Sequence, residues 1–283
     1  MRQLPHDGAP ALRCNGDMKT ISANGIDIAY TEVGDGPPLV LLHGALVSTS
    51  PAWIGSHAAH VDHLATFGKH FRVIAPDTRG SGATVFDGPA PFDVLVDDVV
   101  ALIGALGLDR PLIAGFSEGA MTATLVTLRH PELVRGLVNH AGFDYFDPNA
   151  PAHQGLGMIF GGRPDATAGD PDAADRAFHE MMGPDEAKLF DTMKADYADW
   201  RGYIGQFFDR SAAPAAYGVG DLASITAPTL VLTGDRDMFC SVELACSVYR
   251  TIAGSELAIV PNTGHEINAN VIDAMVDFLV RVA

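Results

Sequence analysis

Short apolar runs rich in Val, Ile and Leu alternate along the chain with longer segments of helical period. This alternation is typical of a mostly parallel sheet covered by helices on both faces. The runs that predict buried strands are residues 39–42, 71–75, 112–116, 137–139, 229–232 and 257–260. The pattern therefore predicts the α/β fold class, and within it the doubly covered parallel arrangement.

Two further features predict how the chain is divided. Asn24-Gly25 separates two strand-like runs, and this dipeptide is typical of a tight β-hairpin turn. Downstream, the strand pattern stops and a long helical stretch follows at about residues 185–210, which predicts a helical cap inserted into the core. We expect a tail at 1–18, an α/β core at 19–143 and 222–283, and the cap at 144–221.

Composition narrows the class of protein. The chain has 283 residues and a formal net charge of -17, which disfavours nucleic acid and anionic membranes as partners. No apolar run approaches the roughly 18 residues of a membrane span. Cys14, Cys240 and Cys246 are spaced for neither a disulfide framework nor a zinc site, which indicates a reducing compartment. We expect a soluble, cytoplasmic protein, and a homodimer through a C-terminal helix is left open.

The first candidate for chemistry is the sequence Gly-Phe-Ser-Glu-Gly, residues 115–119. It matches the G-x-S-x-G pattern and lies between an apolar strand and a predicted helix at 120–128. In such a strand-to-helix turn, the serine is held in a strained backbone conformation and its hydroxyl projects from the sheet edge. This context predicts Ser117 as a nucleophile.

Backbone amides near Ser117 are candidates for an oxyanion hole, the set of N–H donors that stabilises a tetrahedral intermediate. The amide of Glu118 opens the helix after the serine. A second amide is that of Ala45, which follows an apolar strand ending in His43-Gly44. We expect His43 itself to order this loop through hydrogen bonds.

A serine hydroxyl needs a base within reach, and that base works best when a carboxylate fixes its tautomer. Downstream, one strand runs into the acidic turn that holds Asp235 and Asp237, and the next runs into a Gly-His turn ending at His265. Because the carboxyl ends of parallel strands meet at one edge of a sheet, we expect these groups to converge on Ser117.

The elbow, the His-Gly loop, the acidic turn and the Gly-His turn follow one another in an order that resembles the α/β-hydrolase superfamily, from about residue 20 to the C-terminus. The resemblance implies the α/β-hydrolase fold, Asp237 as the acid and Asp235 as a brace; some members place the acid where this chain has Asp144. The turn at 77–82 is similar to the family's D-x-R-G-x-G brace. The elbow also resembles valacyclovir hydrolase and its biphenyl-hydrolase-like relatives, which cleave small esters.

The predicted function is therefore a serine hydrolase that cleaves a small-molecule ester or lactone through an acyl-enzyme, with no cofactor and no metal. The same triad also supports carbon-carbon bond hydrolases, lyases and perhydrolases, and a ligand-binding receptor on this fold is the alternative of another class. Epoxide hydrolases and haloalkane dehalogenases are disfavoured because they need an aspartate where this chain has Ser117.

Two sets of residues have competing interpretations. Glu118, at a helix N-terminus, either stabilises that helix or recognises a positively charged or hydrogen-bonding substrate group. His57, His60 and His63 recur at a spacing of three, but no acidic or cysteine partner accompanies them at ligand spacing, so we expect no metal there. Cys240 and Cys246 are expected to be small packing residues.

Overall fold

A computed structural model describes residues 18–45, 63–86, 88–147, 210 and 216–283. Within these ranges, eight strands form one sheet in the order β1-β2-β4-β3-β5-β6-β7-β8. The strands are Met18–Ala23 (β1), Ile26–Val33 (β2), Pro38–Leu42 (β3), Arg72–Pro76 (β4), Leu112–Phe116 (β5), Gly136–His140 (β6), Thr229–Gly234 (β7) and Glu256–Val260 (β8). β1 and β2 pair antiparallel to their neighbours, and β3 to β8 are parallel. The predicted α/β fold class is confirmed.

The opening hairpin forms where the sequence predicted it. Asn24 and Gly25 both have positive φ, +46° and +75°, which suits a two-residue turn between right-twisted strands. Residue for residue, β1 and β2 pair from Met18 opposite Thr31 to Ala23 opposite Ile26. β2 then pairs antiparallel with β4, which joins the hairpin to the parallel part of the sheet.

Five helices of the described segments cover the sheet. They are His63–Phe67 (α1), Phe92–Ala105 (α2), Glu118–Arg129 (α3), Val242–Thr251 (α4) and Ala269–Val282 (α5). Side chains of α2, α3 and α4 form one apolar core with one face of the sheet, and side chains of α1 and α5 form a second core with the other face. Alternate residues of each central strand enter opposite cores, so those strands are buried on both sides.

The C-terminal helix packs on the sheet. The apolar residues of α5 that the sequence pattern left available either to the sheet or to a second subunit are buried against β6, β7 and β8. They are Val271, Ile272, Met275, Phe278 and Leu279. This face is therefore not available to a second subunit, and the homodimer stays a prediction.

The predicted cap and tail fall mostly outside the described residues. Residues 148–209 and 211–215, which make up most of the predicted cap at 144–221, lie outside the described residues, as do the predicted helical stretch at 185–209 and the tail at 1–17. The first described strand, β1, begins at Met18, the last residue of the predicted tail. No helix in the described ranges is both long and apolar enough to cross a membrane.

Candidate active site

Ser117 lies between β5 and α3, in the strained conformation that its motif predicts. Its φ is +52° and its ψ is -120°, a region that residues other than glycine rarely adopt. The conformation is held from both sides: the Ser117 amide donates to the carbonyl oxygen of His140 in β6, at 2.9 Å, and the Ser117 carbonyl oxygen accepts from Ala120 and Met121 in α3. The half-buried serine is thus fixed to the sheet and to the helix at once.

Glycines allow the turn to pack closely around the serine. A Cβ on Gly119 would lie 2.4 Å from the carbonyl oxygens of Leu42 and His43, so α3 contacts the end of β3 through bare backbone. A Cβ on Gly44 would lie 3.3 Å from the Ser117 Cβ. The loop that carries Gly44 and Ala45 therefore runs directly beside the serine.

The predicted acid, Asp237, and the predicted base, His265, lie in the turns after β7 and β8. Asp237 lies 2.9 Å from His265, between the carboxylate Oδ2 and the ring Nδ1. Because an ionised carboxylate only accepts, Nδ1 carries the proton and donates, which leaves the Nε2 lone pair free to accept. The Asp237 side chain is fully buried, while 17% of the His265 side chain remains exposed.

Electrostatics keep Asp237 ionised despite its burial. Burial favours the neutral acid, but attraction to His265 when it is protonated, the hydrogen bond from His265, and the amides of Phe239 and Cys240 more than offset it. Both amides donate to Asp237 Oδ1 at 2.9 Å. The net effect is that the pKa of Asp237 lies below its ordinary value of 3.8.

Two aromatic side chains orient the His265 ring. Phe116 and Phe239 each lie with their ring centroids 4.7 Å from that of His265, and Phe239 meets it edge to face. Phe116 directly precedes Ser117, so the ring of the predicted base packs on the residue next to the serine. In the described part of the chain, no hydrogen bond joins the Ser117 hydroxyl to His265; catalytic hydrogen bonds are often formed fully only with substrate present.

The other acidic candidates have different partners. Asp235 accepts from the Thr263 amide at 3.0 Å, which ties the turn after β7 to the turn after β8. Asp144 is buried beside Cys240, whose thiol lies 3.5 Å from the Asp144 carboxylate. Burial raises the pKa of the Cys240 thiol well above its ordinary value, so this thiol stays protonated, as a packing residue would.

His43 orders its loop, as the sequence analysis expected. Its Nε2 accepts from the Thr78 amide at 3.0 Å, so the proton is on Nδ1, which lies 2.7 Å from the Gly44 carbonyl oxygen. Ser81 also reaches Nε2, at 3.2 Å. The D-x-R-G-x-G turn therefore holds the His-Gly loop in place beside Ser117.

The same turn is braced by a buried ion pair. Arg79 donates to both carboxylate oxygens of Asp98 in α2, and Asp98 also accepts from the Asn24 side chain at 2.7 Å. The Arg79 guanidinium lies over the Phe86 ring, 4.4 Å from its centroid. These contacts give the turn a bracing role between the hairpin and α2.

Glu118 has a partner that the sequence did not reveal. Its side chain is buried, and its Oε1 accepts from the Nε of Arg210 at 2.5 Å. Neither earlier interpretation of Glu118, helix stabilisation or substrate recognition, included this ion pair. No local pattern links two residues so far apart in the chain.

His140, at the end of β6, is a second feature that the sequence analysis missed. Its side chain is fully buried, and among the described residues neither ring nitrogen has a hydrogen-bond partner. The ring packs on Phe116, 4.8 Å between centroids. Burial, together with the charge of His265, lowers the pKa of His140 to about 3, so it is neutral at physiological pH.

The histidines considered for a metal are only partly described. His63 begins α1 and is buried, whereas His57 and His60 lie outside the described residues. Over the described ranges, no three His, Cys, Asp or Glu side chains are grouped so that they could hold a metal ion.

The sheet order, the strained serine elbow and the paired Asp237 and His265 define a protein of the α/β-hydrolase class. Comparison with known families agrees, because residues 39–281 match the model of the alpha/beta hydrolase family. The chain belongs to the α/β-hydrolase family.

Among similar proteins is a 2-hydroxymuconate semialdehyde hydrolase from Pseudomonas sp. (strain CF600), 28% identical over 87% of each chain. Epoxide hydrolase 2 from Siraitia grosvenorii is 36% identical, but the match covers 42% of this chain and 37% of that protein. The structure of a thermophilic esterase from Thermogutta terrifontis superposes with a TM-score of 0.72 at 21% identity, covering 94% of this chain and 99% of that one. The relatives are thus hydrolases of several chemistries, and the closer resemblance to valacyclovir hydrolase stays a prediction.

Proposed function

We propose that this chain is a serine hydrolase that cleaves a carboxylic ester or lactone of a small molecule. The observation that carries the proposal is the 2.9 Å hydrogen bond between Asp237 and His265. The His265 ring packs against Phe116, the residue directly before the strained Ser117. A buried carboxylate that fixes the histidine tautomer, next to a serine held in an elbow, is the arrangement that activates a serine hydroxyl.

The proposed reaction proceeds in two halves. His265 Nε2 takes the proton of the Ser117 hydroxyl as its oxygen attacks the carbonyl carbon, and the carbonyl oxygen becomes an oxyanion. The amides of Glu118 and Ala45 donate to that oxyanion. When the intermediate collapses, the alcohol leaves with the proton from His265; water then attacks the acyl-enzyme by the same route and releases the acid. No step requires a cofactor or a metal.

A panel of p-nitrophenyl esters of increasing acyl length tests the proposal, run beside Ser117→Ala and a fluorophosphonate probe. We expect turnover by the wild type, one probe adduct per chain at the Ser117 peptide, and neither in the variant. Ser224→Ala, on an exposed serine whose hydroxyl donates to the Asp221 carbonyl oxygen, is the matched control and keeps both turnover and labelling. If a folded wild type neither reacts with the probe nor hydrolyses any ester, the proposal is wrong and a ligand-binding receptor replaces it.

A second candidate function is hydrolysis of a carbon-carbon bond. The specific observation in its favour is the relative named 2-hydroxymuconate semialdehyde hydrolase, which matches over 87% of each chain. The same Ser117, His265 and Asp237 would serve both reactions. Offering 2-hydroxymuconate semialdehyde and the ester panel to one enzyme preparation separates them, since the larger kcat/KM identifies the reaction for which the site is built.

A further inference from the structure

The ion pair between Glu118 and Arg210 lies directly beside the nucleophile. Glu118 is the first residue of α3, and Arg210 holds its carboxylate through Nε at 2.5 Å. Arg210 also donates from Nη1 to the Ala90 carbonyl oxygen, at 3.0 Å. The two side chains are only 6% and 3% exposed, so solvent does little to screen the pair.

The position of this carboxylate matters for the proposed chemistry. The backbone amide of Glu118 is one of the two proposed oxyanion donors, and the side chain of the same residue carries a negative charge in a buried setting. An unpaired carboxylate there would oppose the negative charge that develops in the transition state, because charges interact strongly where water is excluded. A counter-charge is therefore needed for catalysis as well as for folding.

We propose that Arg210 is a positioning residue of the hydrolase: it neutralises and orients the Glu118 side chain, so that the first turn of α3 presents only its amide to the oxyanion. This inference rests on the proposed function. It also implies that Glu118 is not available to a positively charged substrate, since its carboxylate is already occupied by Arg210.

Four variants test the proposal: Arg210→Met, Arg210→Lys, Glu118→Gln and the double variant Glu118→Gln with Arg210→Met. Active sites are counted by exhaustive fluorophosphonate labelling, so that kcat refers only to folded enzyme. For p-nitrophenyl acetate, we expect Arg210→Met to lower kcat per labelled site by roughly tenfold or more, with KM within about twofold. Arg210→Lys and the double variant recover kcat to within about threefold of the wild type, since neither leaves an unpaired carboxylate.

The ion pair of Arg72 and Glu32 is the matched control. It is also an Arg–Glu pair, joined through Arg72 Nε at 2.6 Å with side chains 37% and 16% exposed, but it lies at the amino end of β4, away from the carboxyl ends of the strands where Ser117 lies. Arg72→Met is expected to lower the melting temperature slightly while kcat per labelled site stays within about twofold of the wild type.

Each result decides between distinct interpretations. Arg210→Met with wild-type kcat per labelled site, or an equal loss in Arg72→Met, overturns the inference and leaves the pair of Glu118 and Arg210 a purely structural one. A loss in Glu118→Gln that is confined to esters bearing an ammonium group overturns it in favour of direct substrate recognition. A wild type that does not label at Ser117 refutes the proposed function, and the inference falls with it.

Discussion

At the scale of single residues, the site depends on how Asp237 is held. Its Oδ1 accepts two backbone amides and its Oδ2 accepts His265, so every strong contact favours the ionised form over the burial that opposes it. An amide side chain in place of the carboxylate would place an N–H where an acceptor is needed, or would hold His265 in the wrong tautomer.

Asp237→Asn is therefore expected to lower kcat for the best p-nitrophenyl ester by about 10³- to 10⁴-fold, with a smaller change in KM. Steady-state kinetics on fluorophosphonate-titrated enzyme measures this loss. Asp144→Asn is the control, because the Asp144 carboxylate contacts the Cys240 thiol, whereas it is Asp237 that is hydrogen-bonded to His265. A larger loss of kcat in Asp144→Asn than in Asp237→Asn would make Asp144 the catalytic acid.

At the scale of elements, the elbow depends on how closely α3 approaches the end of β3. Gly119→Ala would place a Cβ 2.4 Å from two backbone carbonyl oxygens that no side-chain rotation can move. We expect the substitution to lower the free energy of unfolding by about 2 kcal/mol or more, and to lower the rate of fluorophosphonate labelling as Ser117 shifts. Urea titration and labelling kinetics measure the two effects.

Gly104 near the end of α2 offers the opposite case. A Cβ there meets nothing within 4 Å, and its φ is not positive. Gly104→Ala should raise the free energy of unfolding by about 0.5 kcal/mol, because alanine loses less backbone entropy in a helix. A loss of stability in Gly104→Ala similar to that in Gly119→Ala would contradict the role assigned to the close approach.

The strands were predicted well because their signal is local. Both ends of each predicted buried run lie within two residues of the ends of an observed strand. The agreement is close because Val, Ile and Leu runs between turn residues are typical of strands buried on both faces. The hairpin was predicted because Asn24-Gly25 suits only a narrow set of turns. The strained backbone at Ser117 was likewise predicted from a motif confined to five residues.

The contacts that the sequence did not predict join residues far apart in the chain. Arg210 reaches Glu118 across 92 positions, and no periodicity or motif records such a pairing. Phe239 and Phe116 enclose His265 because three strand ends meet, which follows from the sheet order and not from any of the three segments alone. The burial of His140 has the same origin, as its strand is central in the sheet.

At the scale of the whole molecule, His140 makes stability depend on pH. The folded protein holds the pKa of His140 near 3, against an ordinary value of 6.5, so between these pH values the unfolded chain binds a proton that the folded chain does not. The free energy of unfolding therefore falls as the pH is lowered from about 6.5. The lowered pKa of Asp237 acts in the same direction, below its ordinary value of 3.8.

His140→Phe should remove the larger of these effects. It keeps an aromatic ring against Phe116 but has no nitrogen to protonate and none to leave without a hydrogen-bond partner. We expect the variant to gain stability over the wild type as the pH falls, by on the order of 3 kcal/mol at pH 4. Urea unfolding at several pH values between 7 and 4 measures the difference, and parallel curves for the two proteins would contradict it.

Under the proposed function, the order of Ser117 and His265 along the chain also governs when activity can arise during synthesis. Ser117 leaves the ribosome with β5, when more than half of the chain has still to be made. His265 follows β8 and emerges only near the end of synthesis. At the usual rates of translation, the interval is on the order of ten seconds. During that time the nascent chain carries an elbow serine without its base, so under the proposed function no growing chain can form an acyl-enzyme before its last strand is in the sheet.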